Sequence, residues 1–177
     1  MTFRIHEVTT DAEIAQVRAL VRAHGDARST TPGVEYVYAD AEGLPGPYVP
    51  PLGGLWLAVA EGSGVGCVAL RPIDERTAEV KRMFVDQRWR GRGVGRTLLG
   101  ALVDGARIRR YDILRLGTLH DMHAAQSLYH SFGFRPIERY RNDELIDTRF
   151  FELDLRASRV PPVRAATDAF SASKATR

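Results

Sequence analysis

The chain has a single cysteine, Cys67, and no cysteine or histidine spacing of the kind that holds zinc, so an internal disulfide and a zinc site of familiar type are both excluded. Cys67 stands in the apolar run "GCVAL" and reads as a small core residue. No apolar run approaches the roughly 18 residues that a membrane span needs. Residues 1–8 are charged and alternate like a strand, unlike the charged start and apolar stretch of a leader peptide. These absences predict a soluble, cytoplasmic protein with no metal and no membrane partner. Internal repeats and interdomain linkers are absent too, and 177 residues at 44% hydrophobic content suffice for one core of ordinary size.

Lysine is also scarce: of the 25 basic residues only Lys81 and Lys174 are lysine. The formal charge of +3 raises the question of a polyanionic partner, and its distribution answers it. Residues 156–177 hold five basic residues and one acid, which leaves 20 basic and 21 acidic residues in 1–155. The body is therefore not basic, and no nucleic-acid partner is expected. The Ala/Ser/Pro-rich end reads as a flexible basic tail, so the expected organisation is one domain over 1–155 and a tail over 156–177.

Period-two alternation in "FRIHEV" predicts a first strand, and Thr9, Thr10 and Asp11 offer caps to a helix ending near His24 and Gly25. From Asp26 to Gly54 the periodicity fails, and "GLPGPYVPPLGG" reads as an ordered loop or lid beside a binding site. "LWLAVAE", a "GSG" turn, "VGCVALRPI" and "AEVKRMFV" predict three antiparallel strands. A helix follows over about 93–110, then a strand at "ILRLGT", a helix over about 122–132 closed by Gly133, and two strands, "FRPIE" and "RFFELDL". The order predicts a mixed α/β fold with a central, mostly antiparallel twisted sheet flanked by helices.

The densest stretch is "KRMFVDQRWRGRGVGRTLL", where arginines alternate with glycines between a strand and a helix. The Walker pattern fails there, because Arg96 stands at its lysine and Arg90 at its first glycine; the dinucleotide pattern opens on Gly91 and Gly93 but meets Arg96 at its last glycine. Their shared physics remains. Glycines permit a tight turn with bare N–H groups, a helix N-terminus adds partial positive charge, and arginines add charge-assisted hydrogen bonds. The stretch asks for a pyrophosphate.

A strand ending in "RMFV" followed by Arg88-x-x-Gly91-x-Gly93 resembles the acyl-CoA-binding motif of the GNAT superfamily of N-acetyltransferases, and "AAQSLYHSFGF" resembles the later motif of that family. The resemblance covers about residues 1–155 and implies the GNAT-like acyl-CoA N-acyltransferase fold, with acetyl-CoA as cosubstrate. It implies that Met83, Phe84 and Val85 pair with the pantetheine arm through their backbone. Arg90, Gly91, Arg92, Gly93, Val94, Gly95 and Arg96 would hold the pyrophosphate. Tyr129 matches the family tyrosine whose hydroxyl approaches the cofactor sulfur as general acid. Glu79 matches the glutamate that serves some members as general base, directly or through water, and shares alternation parity with Met83 and Val85. Where many members have asparagine this chain has Met122, which can pack on the pantetheine instead; His120 and His123 nearby read as surface positions.

The acceptor is less determined. The resemblance implies that the first helix, the following loop and the late hairpin, here with Tyr36, Tyr38, Tyr48 and "YRNDELID", build the acceptor site. Glu35, Asp40, Glu42, Asp143, Glu144 and Asp147 place acids there, which would suit a cationic amine or act only as solvated charges. The leading expectation is acetyl transfer to a small-molecule amine. A protein or peptide acetyltransferase, and a catalytically silent acyl-CoA sensor, are the alternatives, and a homodimer is left open.

Overall fold

The computed structural model describes residues 2–141 and 147–157. Residues 158–177 of the expected tail, and Asp143 and Glu144 of the expected acceptor hairpin, lie outside the described residues. The elements run β1 (Arg4–Glu7), α1 (Asp11–Asp26), α2 (Glu35–Glu42), β2 (Gly54–Ala60), β3 (Ser63–Pro72), β4 (Thr77–Val85), α3 (Val94–Ile108), β5 (Ile113–Leu119), α4 (His123–Ser131), β6 (Arg135–Ile137) and β7 (Thr148–Asp154). They form a seven-stranded sheet in the order β1-β2-β3-β4-β5-β7-β6, parallel only between β4 and β5. This is the mixed α/β fold with a mostly antiparallel sheet that the sequence predicts. No helix among the described residues is long and apolar enough to cross a membrane.

The sheet divides the core in two. Trp56, Val68, Leu98, Leu102, Leu114 and Phe134 pack on the side covered by α3 and α4, while Val17, Leu20, Val37, Leu57 and Cys67 pack under α1 and α2. Helix α1 begins where Thr10 accepts the Glu13 N–H and the Glu13 carboxylate accepts the Thr10 and Thr9 N–H groups, a reciprocal cap. Helix α2 corrects the sequence expectation of an unbroken loop over 26–54. It spans two turns, buries only Val37 and Ala41, and is tied to α1 by Arg18, which donates to the Ala41 and Leu44 carbonyls. So short an apolar face carries little periodic signal; tertiary packing supplies the stability.

Two features of β4 position the site. Its pairing with β5 covers only Thr77, Ala78 and Glu79, after which the strands diverge and the β4 edge from Val80 onward has no strand partner on that side among the described residues. A bulge then sets Arg82 and Met83 against one residue of β3: Lys81 pairs with Ala69 and Phe84 with Cys67, and Arg82 takes φ 52°.

Candidate active site

The wedge between β4 and β5 opens into two cavities, of about 800 and 100 Å³. The larger is bounded by Met83, Phe84 and Val85 of β4, by the turn before α3, and by Met122 and Tyr129 of α4. A single 3₁₀ turn, Gln87–Trp89, leads into that turn. Gly91 and Gly93 have φ of 72° and 84°, and a Cβ at either would meet nothing within 4 Å, so glycine is required there by backbone conformation and not by crowding. Gly93 caps α3 with no side-chain bond, which leaves the first N–H groups of the helix facing the cavity beside Gly95. Arg90 is held by its bond to the Val85 carbonyl (3.1 Å), and Arg96 by Ser131 of α4 (2.9 Å). Of the cofactor residues expected from sequence, Met83, Phe84, Val85, Arg90, Gly91, Gly93, Val94, Gly95, Arg96, Met122 and Tyr129 all line this one cavity. Arg92 does not; it turns back to the Arg88 carbonyl (3.1 Å) and over the Trp89 ring. Arg88 also points away, paired with Asp86 and largely exposed.

Tyr129 lines both cavities, as do Met83, Met122, His24 and Arg28. Its ring packs on Phe134 at 5.8 Å, and its hydroxyl makes no hydrogen bond among the described residues. Burial raises its pKa, so the phenol stays protonated at neutral pH. His24, against Phe84 at 5.3 Å, is lowered to about 4 by burial and by Arg82, Arg28 and Arg90, and is neutral.

Glu79 lies elsewhere than its parity predicts. The bulge at Arg82 shifts the alternation by one, so Glu79 shares a face with Phe84 and not with Met83 and Val85. Its carboxylate is fully buried and lines neither cavity. It accepts from Tyr140 Oη (2.6 Å), Arg141 Nε (2.7 Å) and Arg71 Nη2. Burial alone would raise its pKa, but Lys81, the Tyr140 hydroxyl, Arg141 and Arg71 together hold it below the usual carboxylate value.

The smaller cavity lies between β4, β5 and α2, and sequence reasoning missed most of its polar lining. Arg28, Lys81, Arg82 and Arg141 reach it, with Tyr36 and Thr118, and no carboxylate lines it among the described residues. The acids expected to face an acceptor are engaged or turned away: Asp40 pairs with Arg82 and accepts from Tyr48, Glu42 pairs with Arg22, and Glu35 and Asp147 are exposed. "KR" in the strand was the available signal, but strict alternation admits only one of two neighbours to a cavity.

Residues 51–136, which include β4, the glycine turn and α4, match the family described as Acetyltransferase (GNAT) domain. The uncharacterized N-acetyltransferase YsnE of Bacillus subtilis is 30% identical over 139 residues, 77% of this chain and 89% of that protein. The N-acetylaspartate synthetase of Homo sapiens is 41% identical over 87 residues, but these are 49% of this chain and only 29% of that protein's length. A GNAT-family acetyltransferase of Staphylococcus aureus Mu50 has the same fold, with TM-score 0.74 at 24% identity over 87% of this chain and 99% of that one. A GNAT-family acetyltransferase of Elizabethkingia anophelis, solved with acetyl-CoA bound, aligns with TM-score 0.59 at 19% identity over 86% and 97%. Motif, fold and similarity over most of a relative's length agree: the chain belongs to the GNAT family of N-acetyltransferases.

Proposed function

We propose that the chain transfers an acetyl group from acetyl-CoA to the primary amine of a small molecule. One observation carries this reading: a cavity of about 800 Å³ with bare helix N–H groups and three arginines, Arg28, Arg90 and Arg96, meets a cavity of about 100 Å³ at Tyr129. The first fits a long molecule with a pyrophosphate, and the second fits a small acceptor better than a peptide. The bound acetyl-CoA of the Elizabethkingia protein supports the identity of the cosubstrate.

Acetyl-CoA supplies an activated thioester, and the residues of this chain hold and complete the reaction around it. The α3 N-terminus, Arg90 and Arg96 hold the pyrophosphate. The free edge of β4 at Met83, Phe84 and Val85 pairs with the pantetheine amides, and a backbone N–H there stabilises the oxygen that gains charge as the amine attacks the carbonyl carbon. Tyr129 donates its proton to the sulfur as the C–S bond breaks.

Glu79 serves as an anchor in this scheme. Three donors occupy its carboxylate, and its bonds to Tyr140 and Arg141 fix the strand-to-strand segment that brings Arg141 to the acceptor cavity. The proton of the attacking amine therefore leaves to water. A thiol-release assay over a panel of amines, amino acids and peptides tests the proposal: turnover with a small amine, reduced about a hundredfold in Tyr129→Phe, is expected from loss of a general acid. An unchanged rate in that variant removes Tyr129 from the chemistry. Turnover confined to peptides moves the substrate class to the alternative reading.

A further inference from the structure

We infer that the acceptor is an anionic amine, an α-amino dicarboxylic acid, selected by Lys81 and Arg82 where the β4 bulge turns both into the smaller cavity. The inference rests on the acetyl-transfer reading above and names the substrate class of that site.

Consecutive strand residues point to opposite faces, so two neighbouring cations in one cavity need a reason. The bulge supplies it: with Arg82 at φ 52° and two residues set against one of β3, Lys81 and Arg82 both reach the same wall. Both are deeply buried. The Arg82 side chain is 8% exposed; its Nε is paired with Asp40, while its Nη2 is buried with no hydrogen-bond partner in the structure. Lys81 is 9% exposed, and its ammonium faces the Tyr36 ring at 5.1 Å with no hydrogen bond or ion pair among the described residues. A charged donor held away from water without an acceptor is costly, and such groups are expected to meet a partner.

Among the described residues no such partner is supplied from within. Glu79 shares its negative charge with Lys81, but its oxygens are already taken by Arg71, Arg141 and the Tyr140 hydroxyl, so it gives Lys81 Nζ no hydrogen bond. Asp40 is committed to Arg82 Nε and Tyr48, and Asp121 to Arg28 at 3.3 Å. His24, on the same wall, is neutral. Lys81 Nζ and Arg82 Nη2 thus lack an acceptor among the described residues, and both side chains line a cavity with no acid among those residues. Two carboxylates on one small amine satisfy both. A polyamine or aminoglycoside would bring positive charge against four cations, and like charges there are repelled strongly. A monocarboxylic amino acid is net neutral and leaves one donor unmet.

Two measurements on the full chain test this. The first is thiol release with acetyl-CoA and aspartate, glutamate, asparagine, alanine or putrescine. A dicarboxylate is expected to exceed its neutral amide by at least about tenfold in kcat/KM, about 1.4 kcal/mol. Lys81→Met is expected to erase most of that ratio through KM for the dicarboxylate. Arg82→Lys, which keeps charge for Asp40 but removes Nη2, gives the second variant should Lys81→Met fold poorly. Preference for putrescine, or a dicarboxylate-to-amide ratio unmoved by both variants, overturns the inference. The second is calorimetric titration of aspartate and of CoA, separately. CoA binding without any dicarboxylate binding or preference sinks this inference alone, whereas dicarboxylate binding without CoA binding sinks the transfer reading and leaves the anion site standing.

Discussion

The anchoring role assigned to Glu79 has a measurable energetic consequence, read most cleanly in Glu79→Gln. The carboxylate is fully buried and accepts from Arg71, Arg141 and Tyr140. Glutamine keeps the shape and one acceptor oxygen, but its amide N–H₂ confronts a donor, and Arg71, Arg141 and Lys81 lose their shared counter-charge. Breaking a buried ionic cluster from one side typically costs about 3–5 kcal/mol. Against a domain stability of roughly 5–15 kcal/mol the variant still folds. With an m-value of about 2 kcal/mol/M, the urea midpoint falls by about 1.5–2.5 M. The fluorescence of buried Trp56 and Trp89 reports the transition. The sign with pH is fixed as well. Glu79 has its pKa held below the ordinary 4.5, so its contribution is present above that value and is lost as pH falls through the lower folded-state value. The difference between wild type and variant therefore shrinks in acid. A loss under about 1 kcal/mol, joined to a fall in kcat steepest at low pH, would refute the reasoning and restore Glu79 as the base.

Three further outcomes follow from other parts of the molecule. His24, lowered to about 4 by burial and three arginines, must charge on unfolding, so stability should decline between pH 6.5 and 4; His24→Gln should flatten that limb by up to about 3 kcal/mol in pH-dependent urea melts. Lys81, lowered to about 8 chiefly by burial, gains charge when an anion arrives, so dicarboxylate affinity should be full below pH 8 and fall above it, as titration at several pH values would record. Gly93→Ala meets no atom within 4 Å but keeps a left-handed φ of 84°, so it should cost about 1–2 kcal/mol in stability and weaken CoA binding; unchanged binding would detach the turn from the pyrophosphate.

Much of the fold was legible because its signals are local. Period-two strands, the reciprocal cap at Thr10 and Glu13, and the amphipathic stripe of α3 each announce themselves within a dozen residues. The glycine turn and Tyr129 were legible because a motif carries them. What escaped depends on pairing between distant segments. The bulge at Arg82 arises from register against β3, so parity counted along β4 alone put Glu79 on the wrong face and hid the joint approach of Lys81 and Arg82. The acids of the α2 segment suggested a cationic acceptor only while their partners were unseen. Once Asp40 is found against Arg82 and Glu42 against Arg22, the charge facing the cavity changes sign. Helix α2 was missed because two buried residues in two turns leave no period to read.

The central claim is that the glycine turn, the free edge of β4 and Tyr129 form an acetyl-CoA site. Isothermal titration of acetyl-CoA and of CoA into the folded full-length chain tests it most directly. The account predicts saturable binding of one molecule per chain, weakened by raised salt because the pyrophosphate meets arginines and a helix N-terminus. A folded chain that takes up neither molecule at about millimolar concentration, weaker than roughly −4 kcal/mol, contradicts it.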